Sequence, residues 1–520
     1  MKENITTKPT YKAAYTPSSI SNLTTTRCEL AASSIIKHLQ SDSLILYTTM
    51  SDDSLHILVF PWLAFGHMLP FLELSKSLAK RGHRITYVST PRNVQQLRQF
   101  QPNLSPLIQF LSIPLPSVEY LPETAESTGD VPPEKVQYLK KAFDGLEAPV
   151  SAFFKSACAD KNTRPDWVIM DFAHHWIPKI AEEYQVPCTF FSVVTVPFLV
   201  FLGPCTEMPG GYRTSAEDYT VPPKWVPFPS NVAFRLHEAR VFLSDSGRNA
   251  SGIADFERVA SVINGSKFAC VRSCHYLESK WLSLLSKLYE KEVMPVGFLP
   301  PSVDQSQSER SSKAVGDLDV IDWLDRQPAK SVMYIAFGSE ATLSIQLVHE
   351  LALGIEMSKV RFLWAFRMPA GMSDDTTILP EGFEERTKDI GTVIAWVPQM
   401  RVLAHTSVGG FLTHCGFSSV VENFQFGHPL VLLPMVIDNG LHSRILEERE
   451  VGVAIPRDEE TGNFSREEVA RVVRFVMVED EGKIIRHNAK QLKKVFTDQV
   501  SYEKHIDEFV EKLKKCKLDG

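Results

Sequence analysis

The chain has 520 residues, of which 44% are hydrophobic, and a formal net charge of −7. This length and composition predict a globular protein with two domains of ordinary size. No basic run is dense enough to indicate nucleic-acid binding. No stretch reaches the roughly 18 unbroken apolar residues that span a bilayer.

The eight cysteines are scattered along the chain without metal-ligand spacing. Cys270 and Cys274 form only a C-x-x-x-C pattern at a predicted strand end. This usage favours buried, reduced thiols and a cytoplasmic location.

The first 49 residues differ from the rest in composition. They are rich in Ser and Thr, contain few acids and show no clear strand or helix period. Three interpretations remain open: an organelle-targeting peptide, a disordered extension, or upstream sequence translated from a misjudged start. Met50 stands just before the first credible strand, so we expect the fold to begin there.

A predicted strand–helix–strand unit opens the fold. Leu55 to Phe60 is an apolar run of strand length, a helix is predicted from about Phe71 to Arg81, and Ile85 to Ser89 is the next strand. His67 is predicted on the loop after the first strand, at the edge where open parallel sheets bind ligands. A lone histidine there more often caps a helix or faces solvent.

A second candidate group follows another predicted strand. The run DWVIMDF at 166–172 reads as a buried strand that ends in Asp171. A buried carboxylate is costly without a partner, so we expect one. His174 and His175 come next, and a role in a ligand pocket is about as plausible for them as no role.

The remaining strands of this half are predicted at 186–191, 268–272 and 294–297, and the stretch 204–256 is rich in Pro and aromatic residues. The polar, Ser-rich stretch 300–316 has linker composition. It is followed by a predicted helix at 317–326, strands at 331–337 and 361–366, and a helix at 344–357. The charged segment 483–515 has a helical period.

The most informative stretch runs from Trp396 to Asn439. An aromatic-led turn precedes an apolar strand, a polar turn from His414 to Ser419, a helix carrying Glu422, and a strand leading to Asp438. Such units bind phosphates at the helix N-terminus, where free N–H groups and the helix dipole converge. A flat aromatic ring can stack on a base.

This stretch resembles the signature box of the plant secondary-product UDP-glycosyltransferases, and the similarity extends over most of the chain from about Met50. The resemblance implies an α/β protein of the glycosyltransferase B fold, with two Rossmann-like domains facing each other across a cleft. The implied division is an extension (1–49), an N-terminal acceptor-binding domain (50–299), a linker (300–316), a C-terminal UDP-sugar-binding domain (317–490) and a helix packing back on the first domain (491–520).

The resemblance also implies roles. His67 would be the catalytic base and Asp171 its partner, with His174 and His175 at the acceptor. The donor contacts would be Ser339, Trp396, Val397, Gln399, His414, Gly416, Ser418, Ser419, Glu422, Asp438 and Asn439. Helix dipoles and backbone N–H groups would replace a metal ion, so we expect neither a metal nor a cofactor besides the UDP-sugar. The pair Asp374-Asp375 is more simply a solvated turn.

Three residues depart from the commonest family pattern. Phe417 stands where Trp is usual, Ser418 where an Asn often contacts phosphate, and Asn439 where Gln is usual in glucose-using members. Loss of one hydrogen bond at a polar sugar site changes specificity strongly. The donor therefore stays open among UDP-glucose, UDP-rhamnose, UDP-xylose and UDP-galactose.

Features beyond the box resemble the plant subgroup that adds a sugar to the sugar of a glycoside. They are the sequence PWLAFGH (61–67) near the start of the fold, the turn FGSEA (337–341) and the run QFGH (425–428). The implied acceptor is a triterpenoid (saponin), diterpenoid or flavonoid glycoside, bound by a monomeric enzyme. The alternatives are transfer to the bare aglycone, another enzyme on the same fold such as an epimerase or hydrolase, and a catalytically silent binding protein.

Overall fold

The computed structural model describes residues 53–100, 104–208, 211–301, 316–338, 343–366 and 378–518. The predicted extension at 1–49, the donor candidate Ser339 and the pair Asp374-Asp375 lie outside these residues. Within them, two all-parallel sheets are each covered by helices on both faces.

The first sheet has the order β3-β2-β1-β4-β5-β6-β7. Its strands are β1 (His56–Phe60), β2 (Arg84–Ser89), β3 (Ile108–Ser112), β4 (Trp167–Met170), β5 (Cys188–Ser192), β6 (Ala269–Val271) and β7 (Val293–Pro295). Its associated helices are α1 (Phe65–Lys80), α2 (Pro91–Phe100), α3 (Val136–Asp144), α4 (Glu147–Ala157), α5 (Ile177–Glu183), α6 (Val196–Leu202), α7 (Leu236–Ser246), α8 (Asp255–Gly265) and α9 (His275–Tyr289).

The second sheet has the order β10-β9-β8-β11-β12-β13. Its strands are β8 (Val332–Ala336), β9 (Arg361–Ala365), β10 (Gly391–Ile394), β11 (Val408–Thr413), β12 (Leu430–Leu432) and β13 (Gly452–Ala454). The helices that follow along the chain are α10 (Gly316–Asp325), α11 (Ile345–Ser358), α12 (Phe383–Thr387), α13 (Gln399–Ala404), α14 (Phe417–Phe424), α15 (Asn439–Glu448), α16 (Arg466–Met477), α17 (Lys483–Phe496) and α18 (Gln499–Leu518).

Successive side chains on each central strand feed opposite cores, as the strand period of two requires. On β1, Leu58 and Phe60 pack into one apolar cluster while Ile57 and Val59 pack into another. Because both faces are buried, the strands read as nearly continuous apolar runs, which is the pattern of parallel sheets.

Each sheet reverses its strand order at one place. In the first sheet the reversal lies between β1 and β4, and in the second between β8 and β11. Ligands bind in the crevice at such switch points, outside the carboxyl ends of the strands. The loops after these four strands are therefore where a site is expected.

The predicted loop location of His67 is wrong. Helix α1 begins at Phe65, so His67 is the third helical residue, and Pro70 lies inside the helix. The proline cannot donate to the carbonyl of Gly66, but Gly66 is exposed and water can take that bond. The helix therefore tolerates Pro70 and begins before this residue, at Phe65 and not at the predicted Phe71.

The last helix, α18, packs on the first sheet and not on the second. Ile506, Phe509 and Leu513 are fully buried in the cluster that also contains Trp167 of β4. The indole Nε1 of Trp167 donates to the carbonyl of Leu513 at 3.0 Å. The chain thus crosses back to complete the core of its first half.

Among the described helices, none combines the length and the apolar character needed to cross a bilayer.

Candidate active site

The first switch point brings His67 and Asp171 together. His67 lies just after β1 and Asp171 directly after β4, and His67 Nδ1 is 2.7 Å from Asp171 Oδ2. The carboxylate is 1% exposed, whereas the imidazole is partly open to solvent. The two residues are 104 positions apart in sequence. They meet because β1 and β4 are adjacent strands of the sheet.

The Asp171 carboxylate is held in place by the backbone. The N–H of Trp62 donates to Oδ2 at 3.0 Å and the N–H of Phe172 donates to Oδ1 at 2.7 Å. Burial alone would raise the pKa of Asp171, but the charge and hydrogen bond of His67 and the Trp62 N–H lower it overall. Asp171 is therefore ionised at neutral pH.

An ionised carboxylate only accepts hydrogen bonds, so His67 Nδ1 must carry the hydrogen of the neutral ring. The lone pair then lies on Nε2. This arrangement can remove a proton from a hydroxyl group, because Asp171 fixes the tautomer and stabilises the imidazolium that forms.

The second switch point holds His414 between two backbone turns. A Cβ on Gly338, after β8, would lie 2.9 Å from the His414 ring, and a Cβ on Gly416 would lie 2.3 Å from its Nε2. Gly338 also has a φ of +71°, which favours glycine. Both glycines are therefore required for the ring to sit against the two turns.

Burial lowers the pKa of His414 to about 4, although the charge of Asp438 opposes the shift. The ring is therefore neutral at physiological pH. Its Nδ1 is buried and has no hydrogen-bond partner among the residues described. A neutral imidazole beside a helix N-terminus can donate one hydrogen bond to a ligand oxygen.

The N-terminus of α14 follows at once. Gly416 is its N-cap, Phe417 and Ser418 are its first residues, and no side chain caps it. Cys415 has a φ of +69°, an uncommon conformation for a residue with a Cβ. Unpaired backbone N–H groups and the positive dipole end make this turn suitable for an anion.

A chain of hydrogen bonds orients Gln399 and Glu422. The Tyr334 hydroxyl donates to Gln399 Oε1 at 3.0 Å, and Gln399 Nε2 donates to Glu422 Oε2 at 2.5 Å. Ser419 Oγ lies 3.5 Å from the same Nε2. Burial raises the pKa of Glu422. Trp396 is partly buried and Val397 is fully packed at the start of this segment.

Asn439 uses its amide within its own loop. Its Oδ1 accepts from the N–H of Val436 at 3.3 Å, and its Nδ2 donates to Asp438 Oδ1 at 3.1 Å. The side chain is buried, while Asp438 is partly exposed. A direct contact between Asn439 and a sugar would require these two bonds to break, so in this conformation the outward-facing group is Asp438.

Of the two histidines predicted at the acceptor, one is buried in the core and the other is partly exposed. His174 is fully buried against the rings of Phe60 and Phe143 in the first core, so it faces the core and not the cleft. Burial lowers its pKa to about 4. His175 Nδ1 is 3.1 Å from Arg258, which is paired with Asp144. The His174 ring contacts the backbone of Asp171, since its Nδ1 is 3.2 Å from the Asp171 carbonyl oxygen, but it makes no hydrogen bond to the carboxylate that holds His67.

Arg272 was not among the residues predicted for the site. This residue directly follows β6, is 2% exposed, and donates from Nη1 to Ser418 Oγ at 2.9 Å. The signal was present, because a charge at the end of the apolar run FACVR is as costly as Asp171 at the end of WVIMD. The two halves meet here, and α1, which carries His67, packs against α14.

Comparison with known families gives two matches. Residues 250–507 match the model described as UDP-glucoronosyl and UDP-glucosyl transferase, and residues 53–200 match the model described as glycosyltransferase, N-terminal domain.

Individual proteins match over nearly their whole length. UDP-glycosyltransferase 91D1 of Stevia rebaudiana is 43% identical over 92% of this chain and 96% of that protein. Soyasaponin III rhamnosyltransferase of Glycine max is 39% identical over 92% of this chain and 99% of that protein. The crystal structure of Arabidopsis thaliana UGT89C1 complexed with UDP-L-rhamnose superposes with a TM-score of 0.69, at 25% identity, over 89% of this chain and 100% of that one.

Proposed function

Because this chain belongs to the plant UDP-glycosyltransferases of the UDP-glucoronosyl and UDP-glucosyl transferase family and has the glycosyltransferase B fold, we propose that it is an inverting enzyme. It transfers a sugar from a UDP-sugar to a hydroxyl group of a plant specialised metabolite. The observation that carries the mechanism is the 2.7 Å contact between His67 Nδ1 and Asp171 Oδ2 at the first switch point.

In the proposed reaction, His67 Nε2 takes the proton of the acceptor hydroxyl as its oxygen attacks the anomeric carbon. The bond from that carbon to the UDP phosphate oxygen breaks on the opposite side, so one displacement inverts the anomeric centre. Asp171 stabilises the imidazolium. UDP leaves with the negative charge.

The leaving diphosphate is assigned to the second switch point. His414, the Gly416 turn and Ser418 at the N-terminus of α14 offer hydrogen-bond donors and a positive dipole. Ser339 is predicted to add a hydroxyl. Trp396 would stack on the uracil, and Gln399 and Glu422, already aligned by their hydrogen bond, would bind the ribose hydroxyls.

The same residues need no metal ion to balance the charge of the leaving group. We therefore propose a metal-free reaction, and we expect turnover to be unchanged after dialysis against EDTA. Restoration of lost activity by Mg²⁺ or Mn²⁺ would contradict this proposal.

The acceptor class is proposed from the relatives. The soybean protein is named for a saponin and for rhamnose, and the sequence resembles the subgroup that extends the sugar of a glycoside. We propose a glycoside acceptor, in the first place a saponin. In the segment 204–256, Trp225, Phe228 and Phe256 are only partly buried against the first core, so they leave apolar and aromatic surface for a scaffold.

We propose that Asp438 binds the hydroxyl groups of the donor sugar, and that Asn439 holds the Asp438 carboxylate in place through their hydrogen bond. The candidates are UDP-glucose, UDP-rhamnose, UDP-xylose and UDP-galactose. We also propose that the enzyme acts as a monomer in the cytoplasm, which is compatible with the seven free cysteines of the part of the chain that the structure describes.

The test is a matrix of these four UDP-sugars against saponin and flavonoid glycosides and their aglycones, read by mass spectrometry. The expected product is a glycoside longer by one sugar, formed from one donor in preference to the others. Preference for bare aglycones would overturn the acceptor assignment. UDP binding without transfer to any acceptor would favour a silent binding protein, and release of free sugar would favour a hydrolase.

A further inference from the structure

Arg272 links the two halves of the molecule at the base of the cleft. It leaves the first sheet at the end of β6 and reaches the first turn of α14, where Nη1 donates to Ser418 Oγ at 2.9 Å. Its Nε donates to the carbonyl of Phe298 at 2.5 Å and its Nη2 to that of Leu299 at 3.4 Å. These carbonyls belong to the irregular segment after β7, where the chain leaves the first half.

The guanidinium is buried without a paired carboxylate among the residues described. Burial lowers its pKa to about 10, while the charges of Glu422 and Glu73 raise it, so it is a cation at neutral pH. The other fully buried arginine of this half, Arg258, shows the usual solution, with two hydrogen bonds to Asp144 at 2.6 and 2.7 Å. Arg272 is thus an incompletely neutralised buried cation, which is costly unless another anion compensates it.

The neighbours of Arg272 indicate where that anion would lie. Ser418 Oγ accepts the arginine N–H, so the hydroxyl hydrogen of Ser418 points to another acceptor. Ser418 is the second residue of α14, beside the unpaired N–H groups of the helix. The ring of Phe417 lies 5.5 Å from the guanidinium and covers it. The positive charge therefore stands directly behind an anion-binding turn.

We propose that Arg272 is a positioning residue for the donor diphosphate. It orients the Ser418 hydroxyl as a donor and places a positive charge behind the N-terminus of α14. Because it also holds the Phe298 and Leu299 carbonyls, it fixes this turn relative to the half that carries His67. The inference rests on the proposed function, since it assumes that a UDP-sugar binds at α14.

The test compares uridine, UMP and UDP, which share the base and ribose but differ in phosphate charge. Calorimetry would measure their dissociation constants with the wild type, Arg272→Met, Arg272→Lys and Ser418→Ala. Arg272→Met should leave uridine affinity within about twofold and weaken UDP on the order of tenfold, with UMP between, because only the charge-dependent contacts are lost. Arg272→Lys should recover part of the UDP affinity because it keeps the charge.

Arg258→Met is the matched control, since it removes an equally buried arginine that contacts no part of the second half. It should lower thermal stability without changing the ratio of uridine to UDP affinity. If Arg272→Met does not fold, Arg272→Lys and Ser418→Ala carry the test, and each should weaken UDP more than uridine.

Two results would overturn the inference. One is an equal loss of uridine and UDP affinity in the Arg272 and Ser418 variants, which would mean a purely structural role. The other is unchanged UDP affinity in all of them. A wild type that binds neither uridine nor UDP would instead refute the proposed function, so the two failures are distinguishable.

Discussion

At the scale of single residues, the catalytic proposal depends on a hydrogen bond that gives an ordinary imidazole a defined tautomer. The Trp62 and Phe172 N–H groups fix the carboxylate, and the carboxylate fixes the ring. A base built in this way is ready before the acceptor arrives, so its removal should affect the chemical step and not the binding of UDP.

His67→Ala should lower the transfer rate on the order of 10²–10⁴-fold, as for loss of a general base. The UDP dissociation constant should change by less than about twofold, because the donor groups lie on the other half. Initial rates and calorimetry measure the two effects. His487→Ala, at an exposed position on α17, is the control. Near-normal turnover of folded His67→Ala would refute the mechanism.

Asn439→Gln tests whether Asp438 and Asn439 select the donor sugar. The longer amide cannot keep both the Val436 and the Asp438 bonds unchanged, so the Asp438 carboxylate should move. We expect the ratio of kcat/KM values for UDP-glucose over the other UDP-sugars to rise several-fold, since polar sugar sites discriminate by single hydrogen bonds. An unchanged donor ratio would show that neither residue selects the sugar.

The residues that sequence analysis could assign are those that occur in one continuous motif or at a predicted strand end. His67 and Asp171 meet because β1 and β4 are neighbours. Arg272 touches Ser418 across 146 positions and between two sheets, and no local pattern encodes such a contact. The hydrogen bonds of the Asn439 amide within its own loop could not be predicted either, since only the loop geometry determines the direction of this short side chain.

At the scale of elements, the turns after β8 and β11 form one unit, because each places a glycine beside the His414 ring. Gly338 and Gly416 leave the space that the ring fills. A side chain at either turn would displace the ring from the N-terminus of α14.

Gly338→Ala should therefore weaken UDP binding on the order of tenfold or more. It combines a left-handed φ with a Cβ 2.9 Å from the His414 ring. Gly252→Ala separates the two causes, because Gly252 has a φ of +81° and open space around its Cβ position. Both variants should lose about 1 kcal/mol or more of folding stability from backbone strain. Equal UDP affinity in both would show that the ring need not stay in place.

The sequence predicted the long elements well and the short ones poorly. The central strands are buried on both faces, so their apolar runs are unmistakable. Strand β13, Gly452–Ala454, has three residues and no readable period, and was not predicted. Helix α1 begins at Phe65, earlier than the predicted Phe71. The helix accommodates Pro70 because Gly66, four residues earlier, is exposed to solvent.

At the scale of the whole molecule, burial keeps many histidines neutral. Burial lowers the pKa of six of them to about 4. They are His56, His83, His174, His237, His414 and His428. In the unfolded chain each would titrate near its ordinary value of 6.5.

Stability should therefore fall as the pH drops from about 6.5 to about 4. In that window the unfolded chain binds protons that the folded chain does not, which favours unfolding. Partly buried carboxyl groups whose pKa desolvation raises, such as Glu73 and Glu422, offset part of this effect. Urea unfolding at pH 7.5, 6.5, 5.5 and 4.5 measures the slope.

His428→Asn should reduce that slope by up to one proton, or about 1.4 kcal/mol per pH unit. His487→Asn, at an exposed position, is the comparison variant. A slope that His428→Asn leaves unchanged would show that this ring is protonated in the folded protein.

The overall architecture was predictable because the stretch from Trp396 to Asn439 resembles the signature box of a family with that fold. Each half also contains its own strand–turn–helix motif at a switch point. The resemblance also implied a last helix that packs back on the first half, and α18 lies there. The contact of Arg272 with Ser418 between the halves was not predictable, because it depends on single side chains.

The docking of α18 on the first sheet also bears on how the protein is made. The ribosome releases the first half early, but Phe509 and Leu513, which complete its core beside Trp167, are among the last residues synthesised. At about 5–20 residues per second, the first half waits some 10–40 s for them. During that interval its apolar face against β4 is uncovered, so nascent chains of this enzyme should be clients of ribosome-associated chaperones until the final helix emerges.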